Sequence, residues 1–325
     1  MQTVEIIDQF EQLKSLADPR RLAILRILMD KPASLTQIGK VLGQHPARVR
    51  HHMQKLEQAG LVEISEILIS NGAIEKIYRA HAGAFILQAL VLPQDSRRQT
   101  ILFSGSHDLA LEHLSERMSK TINLLNLPVG SLEGLVALRQ GFCQVAGSHL
   151  LDSSGEYNVP FVRHFFPEHN ARLVTLAYRE QGLLLAAGNP KGIHGLVDLL
   201  RPEVTFINRQ SGSGTRLWLD GRLKELDIPS EQIRGYGQTV RTHTAVADRL
   251  LSGLADAGIG LRAAAIKADL YFIPLFTERF DLTFLQEHSR TLEPLLDQIQ
   301  SVTFRREVSR MSGYDTAHTG EQIYL

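Results

Sequence analysis

Apolar residues recur every three or four positions from Val4 to Met29. Ile6, Phe10, Leu13 and Leu16 mark one stretch; Leu22, Leu25 and Leu28, with Ile24 and Ile27 beside them, mark another. That period predicts two helices. Asp18-Pro19 separates them, because Asp caps a helix and Pro fits its first turn. Pro32 breaks the second helix. Ser34 or Thr36 can cap a short helix through Val41 that Gly43 ends. A longer helix is predicted from about Pro46 to Ala59, stopped by Gly60. Val49, Met53 and Leu56 form its buried stripe, and Arg48, Arg50, His51, Gln54 and Lys55 lie on its outward side. The pattern then changes to β-type runs at residues 62–69 and 74–78 around Ser70-Asn71-Gly72-Ala73. Asn-Gly between such runs signals a hairpin, since both central residues of a type I′ turn need positive φ. The sum is an α+β winged helix-turn-helix over residues 1–90.

A polar, proline-containing stretch, residues 91–99, reads as a linker. Strand-like and helical runs alternate beyond it. Strands are expected at residues 100–104, 127–130, 144–147, 172–179, 182–186, 204–208, 257–260 and 270–275, and helices at 109–125, 132–140 and 215–226. Such alternation predicts parallel sheets covered by helices, an α/β domain over residues 100–310, with a polar tail at 311–325. Small polar clusters stand where strands give way to helices. They are Ser104-Gly105-Ser106-His107-Asp108, Gly130-Ser131, Gly147-Ser148-His149, Ser211-Gly212-Ser213-Gly214-Thr215 and Thr242-His243-Thr244. Helix N-termini offer free N–H groups and partial positive charge, and open α/β sheets bind ligands at the carboxyl ends of their strands. The clusters therefore predict a site for an anion.

Composition narrows this picture. The 325 residues carry 35 Lys plus Arg against 35 Asp plus Glu. Residues 1–95 hold 11 basic and 10 acidic groups, so any affinity for DNA must rest on a local stripe and not on bulk charge. The single cysteine, Cys143, excludes a disulfide framework and a thiolate metal site; its apolar neighbours Phe142 and Val145 suggest buried packing. No apolar run approaches the ~20 residues of a membrane span, and the first ten residues do not read as a secretory leader. A cytoplasmic location and no membrane partner are expected.

The segment from Leu13 to Leu25, Leu-Lys-Ser-Leu-Ala-Asp-Pro-Arg-Arg-Leu-Ala-Ile-Leu, resembles the opening of ArsR-type repressors. Val49-Arg50-His51-His52-Met53 and Leu56-Glu57-Gln58-Ala59-Gly60-Leu61-Val62 resemble that family's recognition segment. The resemblance covers about residues 8–82. It implies a homodimer on a double-stranded DNA operator, with two recognition helices entering adjacent major grooves. By position His45, Pro46, Arg48, Arg50, His51 and Gln54 fall on the DNA-facing part. Arg48 or Arg50 suits guanine edges and Gln54 adenine; Lys55, Lys40 and the wing's Arg79 suit phosphates. His52 lies near the buried stripe and reads as core. The family's metal-sensing cysteine pair is absent, and His45 stands where Ser or Thr usually caps.

From about Ile101 to Gln300 the chain resembles a type II periplasmic-binding-protein fold, two-lobed and α/β, related to molybdate-binding proteins. Arg209-Gln210-Ser211-Gly212-Ser213-Gly214-Thr215 has the Arg-x-x-x-Ser-Gly-Thr spacing of phosphate- and tungstate-binding members. Gly147-Ser148-His149, Gly155-Glu156-Tyr157-Asn158, Arg179-Glu180-Gln181-Gly182 and Gly313-Tyr314-Asp315-Thr316 extend the resemblance to an effector domain fused to helix-turn-helix modules. It implies lobe one at about 100–177 and 277–310 and lobe two at about 178–276, with a cleft between. Expected ligand groups are Ser104, Ser106 and Ser131 from lobe one, and Arg209, Ser211, Ser213, Gly214, Thr215, Thr242 and Thr244 from lobe two, with His149, Tyr157, Asn158 and Arg179 beside them. Hydroxyls and amides suit a molybdate- or tungstate-like oxyanion. The surplus of large polar groups suits an organic anion, such as a molybdenum-cofactor fragment. No metal or resident cofactor is expected. No Gly-x-Ser-x-Gly elbow, phosphate loop, His-Glu-x-x-His helix or dinucleotide fingerprint occurs, and the adjacent Ser106-His107-Asp108 cannot act as a triad. The sequence reads as a ligand-responsive transcription regulator and not an enzyme. An anion-binding delivery protein is the alternative.

Overall fold

A computed structural model of the chain describes residues 4–70, 73–87, 89, 91, 98–167 and 170–325. It divides into two compact units, Met1–Leu92 and Pro93–Leu325. The first contains, in order, β1 (Val4–Ile7), α1 (Phe10–Leu16), α2 (Pro19–Asp30), β2 (Ala33–Ser34), α3 (Leu35–Leu42), α4 (Pro46–Gln58), β3 (Val62–Ser70), β4 (Ala73–Ala80) and β5 (Ala84–Leu87). Local chemistry sets the helix ends. The Asp18 carboxylate accepts the Arg20 amide at 2.7 Å, Ser34 and Gln37 form a capping box, and Gly43 ends α3 in the left-handed region. Ile24, Leu25, Leu28, Ile38, Val49, Met53 and Leu56 fill the core from three helices. β3 and β4 form an antiparallel hairpin joined by β2, in the order β2-β4-β3. This is a winged helix-turn-helix. The Asn71-Gly72 turn lies outside the described residues.

Residues 4–7 depart from expectation. They form a strand and not a helical turn, because Val4, Ile6 and Ile7 are β-branched and pair in parallel with β5.

The second unit carries, among the described residues, one ten-stranded sheet. Its elements are β6 (Gln99–Gly105), α5 (Leu109–Met118), β7 (Ile122–Pro128), α6 (Ser131–Arg139), β8 (Val145–Ser148), α7 (Val159–Phe165), β9 (Ala171–Leu185), β10 (Phe206–Arg209), α8 (Gly214–Glu225), β11 (Thr239–Val240), α9 (His243–Leu251), β12 (Ala257–Leu261), α10 (Arg262–Lys267), β13 (Tyr271–Leu285), α11 (Ser289–Gln300), α12 (Val302–Val308), β14 (Tyr314–Asp315) and β15 (Gln322–Tyr324). The path is β11-β10-β12-β9-β13-β8-β6-β7. β7, β6 and β8 run parallel in one lobe, and β11, β10 and β12 in the other. β9 and β13, fifteen residues each, run antiparallel through both lobes and join them. Helices cover both faces. Phe103, Leu114, Phe280 and Phe304 lead one lobe-one core and Leu135, Val162 and Phe166 the other. Leu219 and Phe206 lead one lobe-two core and Val246 and Leu250 the other.

Three expectations change. The helix expected at 109–125 ends at Met118, and Ile122–Pro128 pairs in parallel with β6, a sheet partner that outweighs continued helical spacing. The strands expected at 172–179 and 182–186 are one strand. Gly182 continues it because a β-carbon there would run into the Ile273 carbonyl of β13. The sheet is mixed and not parallel, since β9 and β13 oppose their neighbours. The tail supplies β14 and β15, which both pair with β9. Among the described residues no helix is long and apolar enough to cross a membrane.

Gly182→Ala should therefore force β9 and β13 apart. A loss of about 1–3 kcal/mol is expected, read as a lower urea midpoint against the unaltered chain.

Candidate functional site

Two surfaces carry chemistry, one in each unit. In the first, His45 caps α4: its Nδ1 accepts the Ala47 amide at 3.3 Å, so imidazole replaces the expected hydroxyl. Pro46 occupies the first turn. Arg48, Arg50, His51, Gln54 and Lys55 are exposed, while Val49, Met53 and Leu56 are buried beneath them. Lys55 reaches Gln58 at 3.4 Å. His52 is buried, and burial pulls its imidazole below the usual range despite Asp18 nearby. Arg79 is exposed on β4 but meets Glu63 at 2.7 Å, so a carboxylate offsets the expected phosphate contact. A groove of about 770 Å³ between α4 and β4 is lined by Arg50, Gln54, Glu57, Glu75 and Lys76 among others. Lys76 is a wing cation that sequence reasoning passed over.

The second surface begins at the crossing strands. Register places Arg179 on β9 opposite Glu278 on β13, both fully buried. Arg179 Nε donates to Glu278 at 2.7 Å, and Nη1 donates to Asp108 at 2.6 Å and to the His107 carbonyl at 3.2 Å. The Tyr314 hydroxyl donates to Asp108 at 2.7 Å. Gln181 donates to the same Glu278 oxygen as Arg179 and accepts from Thr215 at 3.0 Å. The other Glu278 oxygen lies 2.6 Å from His149 Nδ1. His149 Nε2 lies 3.0 Å from Ser106 Oγ, which lies 2.9 Å from Ser131 Oγ. Ser131 Oγ accepts the His149 amide at 3.3 Å.

Arg209, at the end of β10, is also buried, at 1% exposure. Unlike Arg179 it meets no carboxylate among the described residues. One Nη stands 2.9 Å from both ring nitrogens of His243, and the other donates to the Arg241 carbonyl at 2.9 Å. Arg209 Nε, Arg179 Nη2, His107 Nδ1 and Ser104 Oγ are buried without a hydrogen-bond partner. Burial works against the charge of Arg209, as does Arg179 nearby, and together they bring its guanidinium down to about 9. Burial also opposes the charge of Arg179, but Glu278 and Asp108 win and push it up. Burial raises the Glu278 carboxyl, but His149 and Arg179 outweigh it and hold it down to about 2. Burial keeps His149 and His243 below their ordinary range, which favours the neutral rings.

The backbone converges on the same place. Gly130 approaches Gln210 and Gly212 from the other lobe, and a β-carbon on Gly214 would strike the His149 ring. Asp108, Ser213 and Thr242 cap α5, α8 and α9 with their side chains; α6, starting behind Gly130, has no side-chain cap. In place of a side chain, the Gly212 carbonyl of the other lobe accepts the Leu132 amide at 3.5 Å.

The structure brings Ser106, Ser131, His149, Arg179, Arg209, Gly214 and Thr215 to this buried region, and Ser104 is buried on β6 between β7 and β8. Other expected groups are engaged elsewhere. Asn158 accepts the Leu150 amide at 2.7 Å and donates to Asp281 at 2.8 Å, which makes it a brace inside lobe one. Tyr157 is half-buried and donates to the Thr277 carbonyl at 3.2 Å. Ser211 is exposed. Ser213 and Thr242 cap their own helices, and Thr244 sits 3.1 Å from Thr242. Sequence reasoning missed Glu278, Gln181, His107, Asp108 and His243 as members of one network. A signal existed: Arg179, Gln181 and Glu278 are polar intrusions in otherwise apolar strands. Beside the network lies a groove of about 470 Å³ lined by His149, Tyr157, Trp218, Phe276 and Glu278 among others, with Trp218 stacked on Phe276 at 3.9 Å. Cys143 is buried, and burial pushes its thiol up to about 12.

Acid sensitivity follows from the neutral imidazoles. The ordinary histidine value is 6.5, and His149 and His243 lie below it in the fold. Their contribution is fully present above 6.5 and is lost as pH falls, because the unfolded chain binds protons first. Each fully buried ring should cost at most about 1.4 kcal/mol per pH unit in that window. Urea unfolding between neutral and mildly acidic pH should show this slope, and His243→Gln should flatten it.

Both units resemble known proteins. Residues 111–300 match a family described as the PBP superfamily domain, and residues 16–65 one described as a helix-turn-helix domain. The uncharacterized protein YvgK of Bacillus subtilis (strain 168) is 35% identical over 229 residues, 70% of this chain and 74% of that protein. An uncharacterized HTH-type transcriptional regulator of Methanocaldococcus jannaschii is 31% identical over 84 residues, 26% of this chain and 87% of that one. Among solved structures, the tungstate ABC transporter from Geobacter sulfurreducens superposes with a TM-score of 0.49 at 13% identity, over 66% of this chain and 99% of that chain. The chain carries a helix-turn-helix domain, and through its larger unit it belongs to the PBP superfamily.

Proposed function

We propose that the protein is a ligand-responsive transcription regulator, homodimeric and cytoplasmic, whose winged helix binds a DNA operator and whose inter-lobe cleft senses a molybdate- or tungstate-like oxyanion. The observation that carries the ligand half is Arg209. A guanidinium buried without a carboxylate is costly, and an unpartnered Nε deepens the cost. Such a group is retained where an anion completes it. The start of α6, which has no side-chain cap, and the unpartnered nitrogen of Arg179 sit in the same network. The Arg-x-x-x-Ser-Gly-Thr spacing at Arg209 supports the same class of ligand.

The exposed Arg48, Arg50, His51 and Gln54 of α4, together with the ArsR-type resemblance, support the DNA half. Lobe closure about β9 and β13 is the two-state element. Ligand favours the closed lobes, and the dimer's DNA-competent state is coupled to that equilibrium. A second reading has its own support. The 470 Å³ groove with Trp218 and Phe276 is far larger than an oxyanion needs and gives room for the planar part of an organic anion.

Two measurements test these halves. Arg48→Ala with Arg50→Ala should weaken operator binding by about 1–3 kcal/mol per lost base contact, seen as lost mobility shifts on DNA selected by the unaltered chain. Unchanged shifts would move the reading surface elsewhere. Arg209→Met should abolish calorimetric heat from molybdate and tungstate while leaving the melting temperature equal or higher, because an uncompensated buried charge is removed. A large fall in melting temperature would make Arg209 structural.

A further inference from the structure

The hydrogen bonds around His149 can be directed proton by proton, on the reading of the cleft as an oxyanion site. Glu278 is a carboxylate and accepts only, so Nδ1 of His149 carries the ring proton. Nε2 then presents a lone pair, and Ser106 donates its hydroxyl to it. The remaining partner of Ser106 Oγ is Ser131, which must donate in turn. Ser131 Oγ accepts the His149 amide. Both serine protons are thus spent inside the chain of bonds, and neither is offered to an anion. Charge points the same way. Asp108 and Glu278 both pair with Arg179, which leaves Arg209 as the network's one cation without a carboxylate among the described residues, so a dianion brings one negative charge more than Arg209 offsets.

We propose that anion binding in the cleft takes up one proton, held on Nε2 of His149, and that this reverses the Ser106–Ser131 chain so that both hydroxyls turn to the anion. The proton comes from solvent. An O–H bond of hydronium, or the proton-bearing bond of a buffer acid, breaks as the Nε2–H bond forms; the Ser106 O–H···Nε2 bond becomes Nε2–H···Oγ, the hydroxyls rotate, and no other covalent bond changes. The imidazolium keeps its bond to Glu278 and supplies the missing positive charge.

The groups facing the ring set the balance. Glu278 on β13 favours the imidazolium; Arg179 on β9 and Arg209 on β10 oppose it, and His243 at the start of α9 faces the same network with its own imidazole held well below the ordinary range. Phe280, 6.0 Å away, and Gly214 close the remaining sides without charge. Burial favours the neutral ring. His243 is a poorer holder, since its ring accepts from Arg209 and has no carboxylate beside it. His107 is the competitor: Nε2 lies 2.7 Å from Glu112 and Nδ1 has no partner, but it touches neither serine.

Calorimetry on the full chain with sodium molybdate, which carries no proton at neutral pH, tests this. Titrations in two buffers of different protonation heat should differ by the heat of about one proton per molybdate bound. His149→Gln, checked for an unchanged melting temperature, should lose the buffer dependence and bind molybdate about tenfold or more weakly. Should that variant not fold, nitrogen-15 histidine spectra of the unaltered chain should show the His149 ring moving to imidazolium on adding molybdate. Heat equal in both buffers, or the proton appearing on His107, overturns the proposal and leaves the oxyanion reading standing. No heat from molybdate, tungstate, sulfate or phosphate overturns both. Because Ser106, His149 and Glu278 also share the connectivity of a nucleophile triad, hydrolysis of p-nitrophenyl acetate that Ser106→Ala abolishes would overturn the relay in favour of nucleophilic chemistry.

Discussion

Arg179 and Glu278 face each other across the two strands that thread both lobes, and the buried polar network hangs on that pair. Isolated, either charge would be prohibitively expensive at full burial. Together they justify each other, and each has capacity left over. Arg179 extends to Asp108 and thereby to Tyr314 of the tail. Glu278 extends to His149 and Gln181, and through them to Ser106 and Thr215. One cross-strand pair thus ties the start of α5, the segment after β8, the start of α8 and the tail to a single reference point. The strands supply the rigidity. Fifteen paired residues on each side fix where the two charged groups stand, and the helix starts are arranged around them.

Against this charge-paired arginine, Arg209 is conspicuous for its lack of a carboxylate partner among the described residues. The two arginines sit in the same network and differ in one respect, the presence of carboxylates. A protein selected for stability alone would have no use for the second. The contrast separates architecture from recognition more sharply than burial does, since both side chains are equally hidden.

Much of this was visible in the sequence, unevenly and for physical reasons. The winged helix was legible because its cues are local: Asp18-Pro19, Ser34 with Gln37, Gly43 and the Val49, Met53, Leu56 stripe each act within a few residues. The small polar clusters at the helix starts were legible because helix starts need such residues. What was illegible is what depends on pairing at long range. The short strand Val4–Ile7 exists through β5, and β7 exists through β6, so period alone misassigned both. Glu278 drew no notice because a single acidic residue in a strand has no local signature; its meaning comes from Arg179, 99 positions away. Asn158 shows the opposite limit. A conspicuous polar residue beside Tyr157 suggests a ligand group, and the bonds its amide makes to Asp281 and the Leu150 amide have no local signature.

The strand β9 has one more implication. Along one edge it is covered successively by β15, β14 and β12, and the first two come from residues 314–324. The tail also delivers Tyr314 to Asp108, 206 positions away. Lobe two is nearly one continuous stretch of chain, whereas lobe one needs chain from both sides of it. A ribosome that has just released lobe two therefore holds a half-built sensor: its parallel strands can pair, but the edge beside Arg179 stays open until the tail emerges. The winged helix, made first and rich in local contacts, is complete long before. Synthesis thus passes through an interval in which the reading head exists and the sensor does not.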